Sequence, residues 1–204
     1  MLKGEGNNHL VCRSTTSRVF DVCSCYKLLS SPNTDEFPWE CIWCAKVPKR
    51  VSFFLWIVAN DGILTIDNFV KRGQSLVNRC YLYCCDGESV DRLLLHSKFS
   101  YTLWYEAFAV FEIQWIMPRS VGFFFFIWRN WFGKHLSTIW NMVLACLMWL
   151  VWHEHNTHTF EDKERTLDHL KSLLFGTLFH WAHIWGCTNC ISLSEFLVSI
   201  SFSS

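Results

Sequence analysis

Residues 79–97 read RCYLYCCDGESVDRLLLHS. Three cysteines (Cys80, Cys84 and Cys85) precede a polar turn at Asp86-Gly87, and an apolar-stepped run from Glu88 to His96 follows. Thiolates, a glycine turn and a short helix carrying an imidazole make the outline of a small zinc knuckle. Cys84 and Cys85 lie at C-x3-C and C-x4-C spacing from Cys80, within the range that knuckles use. One reading is a site of Cys80, one of Cys84 or Cys85, and His96, with water as the fourth ligand. The other is three reduced, partly buried cysteines and a helix-end histidine.

Working outward, the chain reads as mainly α. Upstream, Trp39, Ile42 and Trp43 give an i, i+3, i+4 apolar face on a short helix. Pro48 opens the next helix at its first position, where Val51, Phe54, Leu55 and Val58 form a buried stripe up to about Asn60. Asp61-Gly62 stops it. Thr65 is the N-cap of a helix running to Arg72, with Gly73 as its stop. Near the N-terminus, Val22, Tyr26 and Leu29 step helically, and residues 1–17 are polar and expected to fray.

Downstream, Leu103, Trp104, Ala107, Phe108 and Phe111 continue a helical face, and Pro118 ends it or follows its end. Residues 123–132 and 136–152 read as two helices apolar nearly all round, so each is buried in a core or against a partner. Residues 161–185 are amphipathic, with Leu167, Leu170, Leu174 and Leu178 on one side. Residues 191–204 alternate serine with apolar residues and read as a strand or as disordered. The expected organisation is a small helical domain at 18–110 around the knuckle-like turn, an aromatic-rich helical extension at 119–186, and a tail at 187–204.

Composition bounds the function. In 204 residues, hydrophobics make up 51% and charged residues 18%, with 12 Trp and 18 Phe. That share of charge is below the usual quarter, so part of the apolar surface is expected to face a larger assembly. Formal net charge is zero, and no global field draws the chain to nucleic acid. Between Lys46 and Arg92 stand seven cations against five anions, a small surplus for phosphate binding. The first ten residues, MLKGEGNNHL, have no apolar signal region, and no run reaches the length of a membrane span. An intracellular protein with reduced cysteines is expected.

The ordered features at Phe20 to Tyr26, Trp39, Pro48, Phe53-Phe54-Leu55-Trp56, Leu64-Thr65, Lys71-Arg72 and Gly87-Glu88-Ser89 resemble the reverse-transcriptase zinc-binding domain of plant non-LTR retroelements. The resemblance covers about Phe20 to Trp104. It implies a knuckle of Cys-x2-Cys, then Glu-Ser-x-x-His, then a further cysteine. Cys80 falls on the first ligand, whereas Tyr83, Arg92 and Ser97 stand where the second cysteine, the histidine and the last cysteine belong. Phenol and hydroxyl are poor Zn²⁺ ligands at neutral pH, and Arg92 sets a permanent cation beside the metal. The inherited site is therefore expected to have lost tight zinc binding, unless Cys84, Cys85 and His96 compensate. Zinc as a cofactor and RNA or DNA as weak partners are implied by the resemblance, with Lys49, Arg50, Lys71, Arg72 and Arg79 as candidate nucleic-acid contacts. A protein partner on the aromatic C-terminal helices, or a retroelement fragment without a selected function, are the alternatives.

Other chemistry is sparse. No two aspartates are adjacent, so the paired-aspartate turn of a polymerase is absent, and no glycine-rich phosphate loop occurs. A non-enzyme is expected. His153, His155 and His158 lack the i, i+4 spacing of a metalloprotease helix and read as a solvated helix end. His180, His183, Cys187 and Cys190 have Zn²⁺-like residue types, but the three-residue gap between the pairs is short for folding around an ion. Cys41 and Cys44 read as core or boundary thiols.

Overall fold

Between Lys134 and Glu161 the chain holds neither glycine nor proline, and its middle is apolar on every side. In the computed structural model, which describes residues 37–75, 87–128 and 134–201, this whole stretch is one helix of 28 residues, about 42 Å long. Ile139, Trp140 and every residue from Met142 to Met148 are at most 1% exposed. A helix apolar all round has to be enclosed, and the remaining helices enclose it.

In chain order these are α1 (Trp39–Trp43), α2 (Lys49–Ala59), α3 (Ile66–Lys71), a π-helical turn (Arg92–His96), α4 (Lys98–Val110), α5 (Val121–Ile127), the long α6 (Lys134–Glu161), α7 (Leu167–Ile184) and α8 (Leu193–Ser201). No strand occurs among the described residues. Helix α6 packs against α2, the π turn, α4 and α7. The described residues from Pro38 onward form one compact unit. The expected helix near Val22 and the polar stretch 1–17 lie outside the described residues.

The stripe expected on α2 is the one that is buried: Val51, Phe54, Leu55 and Val58 are at most 5% exposed. Phe54 meets Trp149 of α6 edge-on at 5.4 Å and stacks on Trp152 at 6.1 Å. Pro48 is the N-cap, one position before the first helical residue. Asn68 of α3 is buried, and its amide donates to the carbonyls of Asp61 and Ile63, both at 2.8 Å. That single side chain ties the α2–α3 turn shut.

Four helices stop in the same way. Beyond α2, α3, α4 and α7, a left-handed residue (Asp61, Gly73, Glu112 and Gly186) is followed by an N–H reaching back five residues. After α7, Gly186 N–H donates to His183 O at 3.1 Å and Cys187 N–H to Ala182 O at 2.7 Å. The two bonds satisfy carbonyls that the helix end leaves bare.

A second core lies where α4, α5 and the start of α6 meet. Trp104, Phe108, Phe124, Trp128 and Trp140 interlock there. Trp128 and Trp140 stack at 4.1 Å and 5°, while Trp104 meets Phe124 edge-on at 4.8 Å. The π turn leaves the Leu94 carbonyl free for the Trp104 indole N–H at 2.9 Å. Its three consecutive leucines, Leu93 to Leu95, are all buried.

Two expectations need correction. The tail is a helix through Ser201, because Phe196 and Ile200 bury one face. Ser192 Oγ accepts from Glu195 N–H at 3.2 Å, and Glu195 in turn accepts from Ile191 N–H at 2.8 Å. The second correction is at the C-terminal end of α6, which continues nine residues past Trp152 and is solvated on one side only, where His153 is exposed. Glu154, His155 and Thr157 are 2%, 5% and 4% exposed, since the chain folds back through Arg165 into α7 and the Glu88 segment docks on the other side.

Candidate functional site

The knuckle-like stretch divides in two. Cys80, Tyr83, Cys84 and Cys85 lie outside the described residues, as does Arg79. From Gly87 onward every candidate position has a defined place.

Glu88 is 2% exposed. One carboxylate oxygen accepts from Ile66 N–H at the start of α3, at 3.2 Å, and the other is 3.0 Å from His155 Nε2. Its own carbonyl accepts from Asp67 N–H at 3.2 Å. His155 stacks on Trp152 at 5.3 Å. Three segments distant in sequence thus converge on one buried carboxylate, which suits a joint in the fold. A second buried carboxylate, Glu154, accepts from Arg165 N–H at 2.9 Å and from its guanidinium, fixing the return into α7.

Arg92, at the position the resemblance gives to a histidine, donates from its guanidinium to Gly87 O at 3.3 Å. Ser97, at the position of the last cysteine, caps α4. Its Oγ accepts from Ser100 N–H at 3.1 Å, satisfying a donor that the helix start would leave unpaired. His96 is exposed, with Nε2 3.1 Å from Arg119 O, and Asp91 accepts from Val121 N–H at 2.7 Å. The two ends of the π turn therefore hold the chain entering α5. For the zinc that the resemblance implies, the two inherited positions in the described half do not fit, since they offer a guanidinium and a capping hydroxyl, and the His96 imidazole lies 3.1 Å from Arg119 O. Among the described residues no three His, Cys, Asp or Glu side chains are grouped as a metal requires.

The second cluster is separated rather than gathered. His180 and His183 are exposed on α7, while Cys187 is buried beyond the helix end with Lys46 Nζ 3.6 Å from its sulfur. Cys190 Sγ is 3.7 Å from Ser199 Oγ. A cavity of about 330 Å³ is lined by Cys187, Thr188, Cys190, Glu195 and Ser199 among others, and neither histidine reaches it. Cys41 is buried, its thiol 3.4 Å from Phe125 O, and Cys44 is exposed.

The basic candidates fall into two groups. Lys71 bridges Asp61 at 3.0 Å and Asp67 at 3.2 Å, and these carboxylates hold its ammonium above the ordinary lysine range. Arg72 donates to Gly62 O at 3.2 Å. Both are exposed and have acceptors within the fold. Lys49 and Arg50 are exposed in the first turn of α2, with the Arg50 guanidinium 5.8 Å over the Trp149 ring.

Residues 20–104 match the family described as zinc-binding in reverse transcriptase. The match ends inside α4. The chain is also similar to a protein of Arabidopsis thaliana provisionally named a ribonuclease H protein, 26% identical over 168 residues, which is 74% of this chain and 25% of that protein. The chain thus spans about a quarter of that relative's length. No solved structure matches. No helix among the described residues is long and apolar enough to cross a membrane.

The sequence reading missed the Glu88–His155 joint. Its signal was present: Met148, Val151 and His155 stand at i, i+3 and i+7, which puts the imidazole on the buried side of α6.

Proposed function

We propose that the chain is a non-catalytic, retroelement-derived helical module that contacts RNA or DNA weakly and has given up the zinc of its family. The observation that carries this is the reassignment of two knuckle positions, Arg92 to the Gly87 carbonyl and Ser97 to the cap of α4. The buried carboxylates support the non-catalytic part: Glu88 and Glu154 are both committed to joints between segments. Lys49 and Arg50 support the nucleic-acid part, since no carboxylate among the described residues pairs with either.

The test is metal content. Purified chain should carry far less than one zinc per molecule. Replacing Tyr83→Cys, Arg92→His and Ser97→Cys together should restore about one ion by rebuilding a four-ligand set. Stoichiometric zinc in the unaltered chain would overturn the reading and would point to Cys80, Cys84, Cys85 and His96 instead.

A second reading has one specific observation behind it. Phe123 and Phe126 on α5 are 57% and 64% exposed, which fits a protein partner. A mass in solution that rises with concentration would favour it.

A further inference from the structure

The exposed face of α2 breaks two local rules at once. Lys49 and Arg50 occupy its first turn, which holds no acidic residue, although the helix dipole disfavours cations at that end. Phe53 and Trp56, one and two turns further on, are 54% and 37% exposed, although water disfavours large rings. The two rings stack on each other at 5.6 Å and 24°. Lys49, Phe53 and Trp56 stand at i, i+4 and i+7, on the side of the helix opposite the buried Val51, Leu55 and Val58. From Cys41 to Asn60 the chain carries Lys46, Lys49 and Arg50 and no acid at all, in a protein whose formal net charge is zero. Residues that oppose local stability together on one face are where function is expected.

We infer that this face is a platform for single-stranded nucleic acid, with Phe53 and Trp56 offering π-faces to successive bases and Lys49 and Arg50 neutralising the backbone beside them. An unpaired strand fits better than a duplex, because duplex bases stack on each other and present no free face to the rings. Cations beside rings also fit a phosphate backbone better than an apolar protein surface. The inference deepens the proposed nucleic-acid role and rests on it.

The test uses the full chain and fluorescence anisotropy with a labelled thymidine 15-mer and the matching duplex at low salt. The unaltered chain should bind the single strand more tightly than the duplex. Phe53→Ala should weaken single-strand binding about 10-fold while changing duplex binding less than about 2-fold, and Trp56→Phe, which keeps a ring, should stay near the starting affinity. Lys49→Ala should flatten the salt dependence by roughly 0.7 in log–log slope, as one lost phosphate contact on a single strand does. If the chain binds neither probe, the nucleic-acid function itself fails. If it binds the strand and Phe53→Ala and Trp56→Ala, both melting as the parent does, leave that binding unchanged, the platform is wrong while the function stands.

Discussion

Replacing Glu88 by alanine removes the acceptor for Ile66 N–H and the partner of His155 Nε2 together. The side chains of the pair are 1% and 6% exposed, so water does not replace what is lost. Each donor left unpaired in such a place costs about 1–3 kcal/mol, which puts Glu88→Ala at roughly 2–6 kcal/mol. A domain holds about 5–15 kcal/mol in all, so the variant should remain folded with a visibly lower urea midpoint. His155→Ala adds a hole beside Trp152 to the same lost bond. The double-mutant cycle, followed by far-UV circular dichroism, should therefore return a coupling energy above ~1 kcal/mol. Glu88→Gln keeps an acceptor for Ile66 N–H and should cost about half as much as the alanine. A coupling energy below ~0.3 kcal/mol, the usual error of additivity, would refute the joint between the Gly-Glu-Ser segment and α6.

Other outcomes follow from the helix ends and the core. Asn68→Ala opens the α2–α3 turn by removing two donors and should cost about 1–3 kcal/mol in urea unfolding. Glu112 adopts a left-handed φ of 54° that glycine accepts without strain, so Glu112→Gly should raise stability by up to ~1 kcal/mol, and Gly186→Ala should lower it by about as much. Burial alone pushes the Cys146 thiol far above the ordinary range, so a thiol-labelling reagent at neutral pH followed by mass spectrometry should mark the exposed Cys44 and leave Cys146 untouched until the chain unfolds.

Much of the architecture is written locally. The stripe of α2, its turn at Asp61-Gly62 and the Gly73 stop are short patterns with their own punctuation, and each forms where its residues call for it. The bounds that moved are those where a polar run sits inside a helix. At His153-Glu154-His155 the polarity suggested solvent, yet no glycine or proline ended the helix, and the partners, Glu88 and Arg165, come from segments that no window includes. Glu88 and His155 are 67 residues apart. In the tail, the alternating serines concealed a Ser192-x-x-Glu195 start signal and the i, i+4 pair Phe196 and Ile200. At the candidate site, the residue types alone showed that Arg92 and Ser97 are poor ligands. That they had become a carbonyl clamp and a helix cap required knowing which atoms lie near them.

The enclosure of α6 has a consequence for how the protein is made. The two tryptophans that close over Phe54, Trp149 and Trp152, leave the ribosome about 100 residues after it. At ~5–20 residues per second, the nascent N-terminal helices wait roughly 5–20 seconds with their greasy sides uncovered. A message truncated where the family match stops, at residue 104, would release a product stuck in that condition, a client for chaperones and proteases rather than a smaller folded protein.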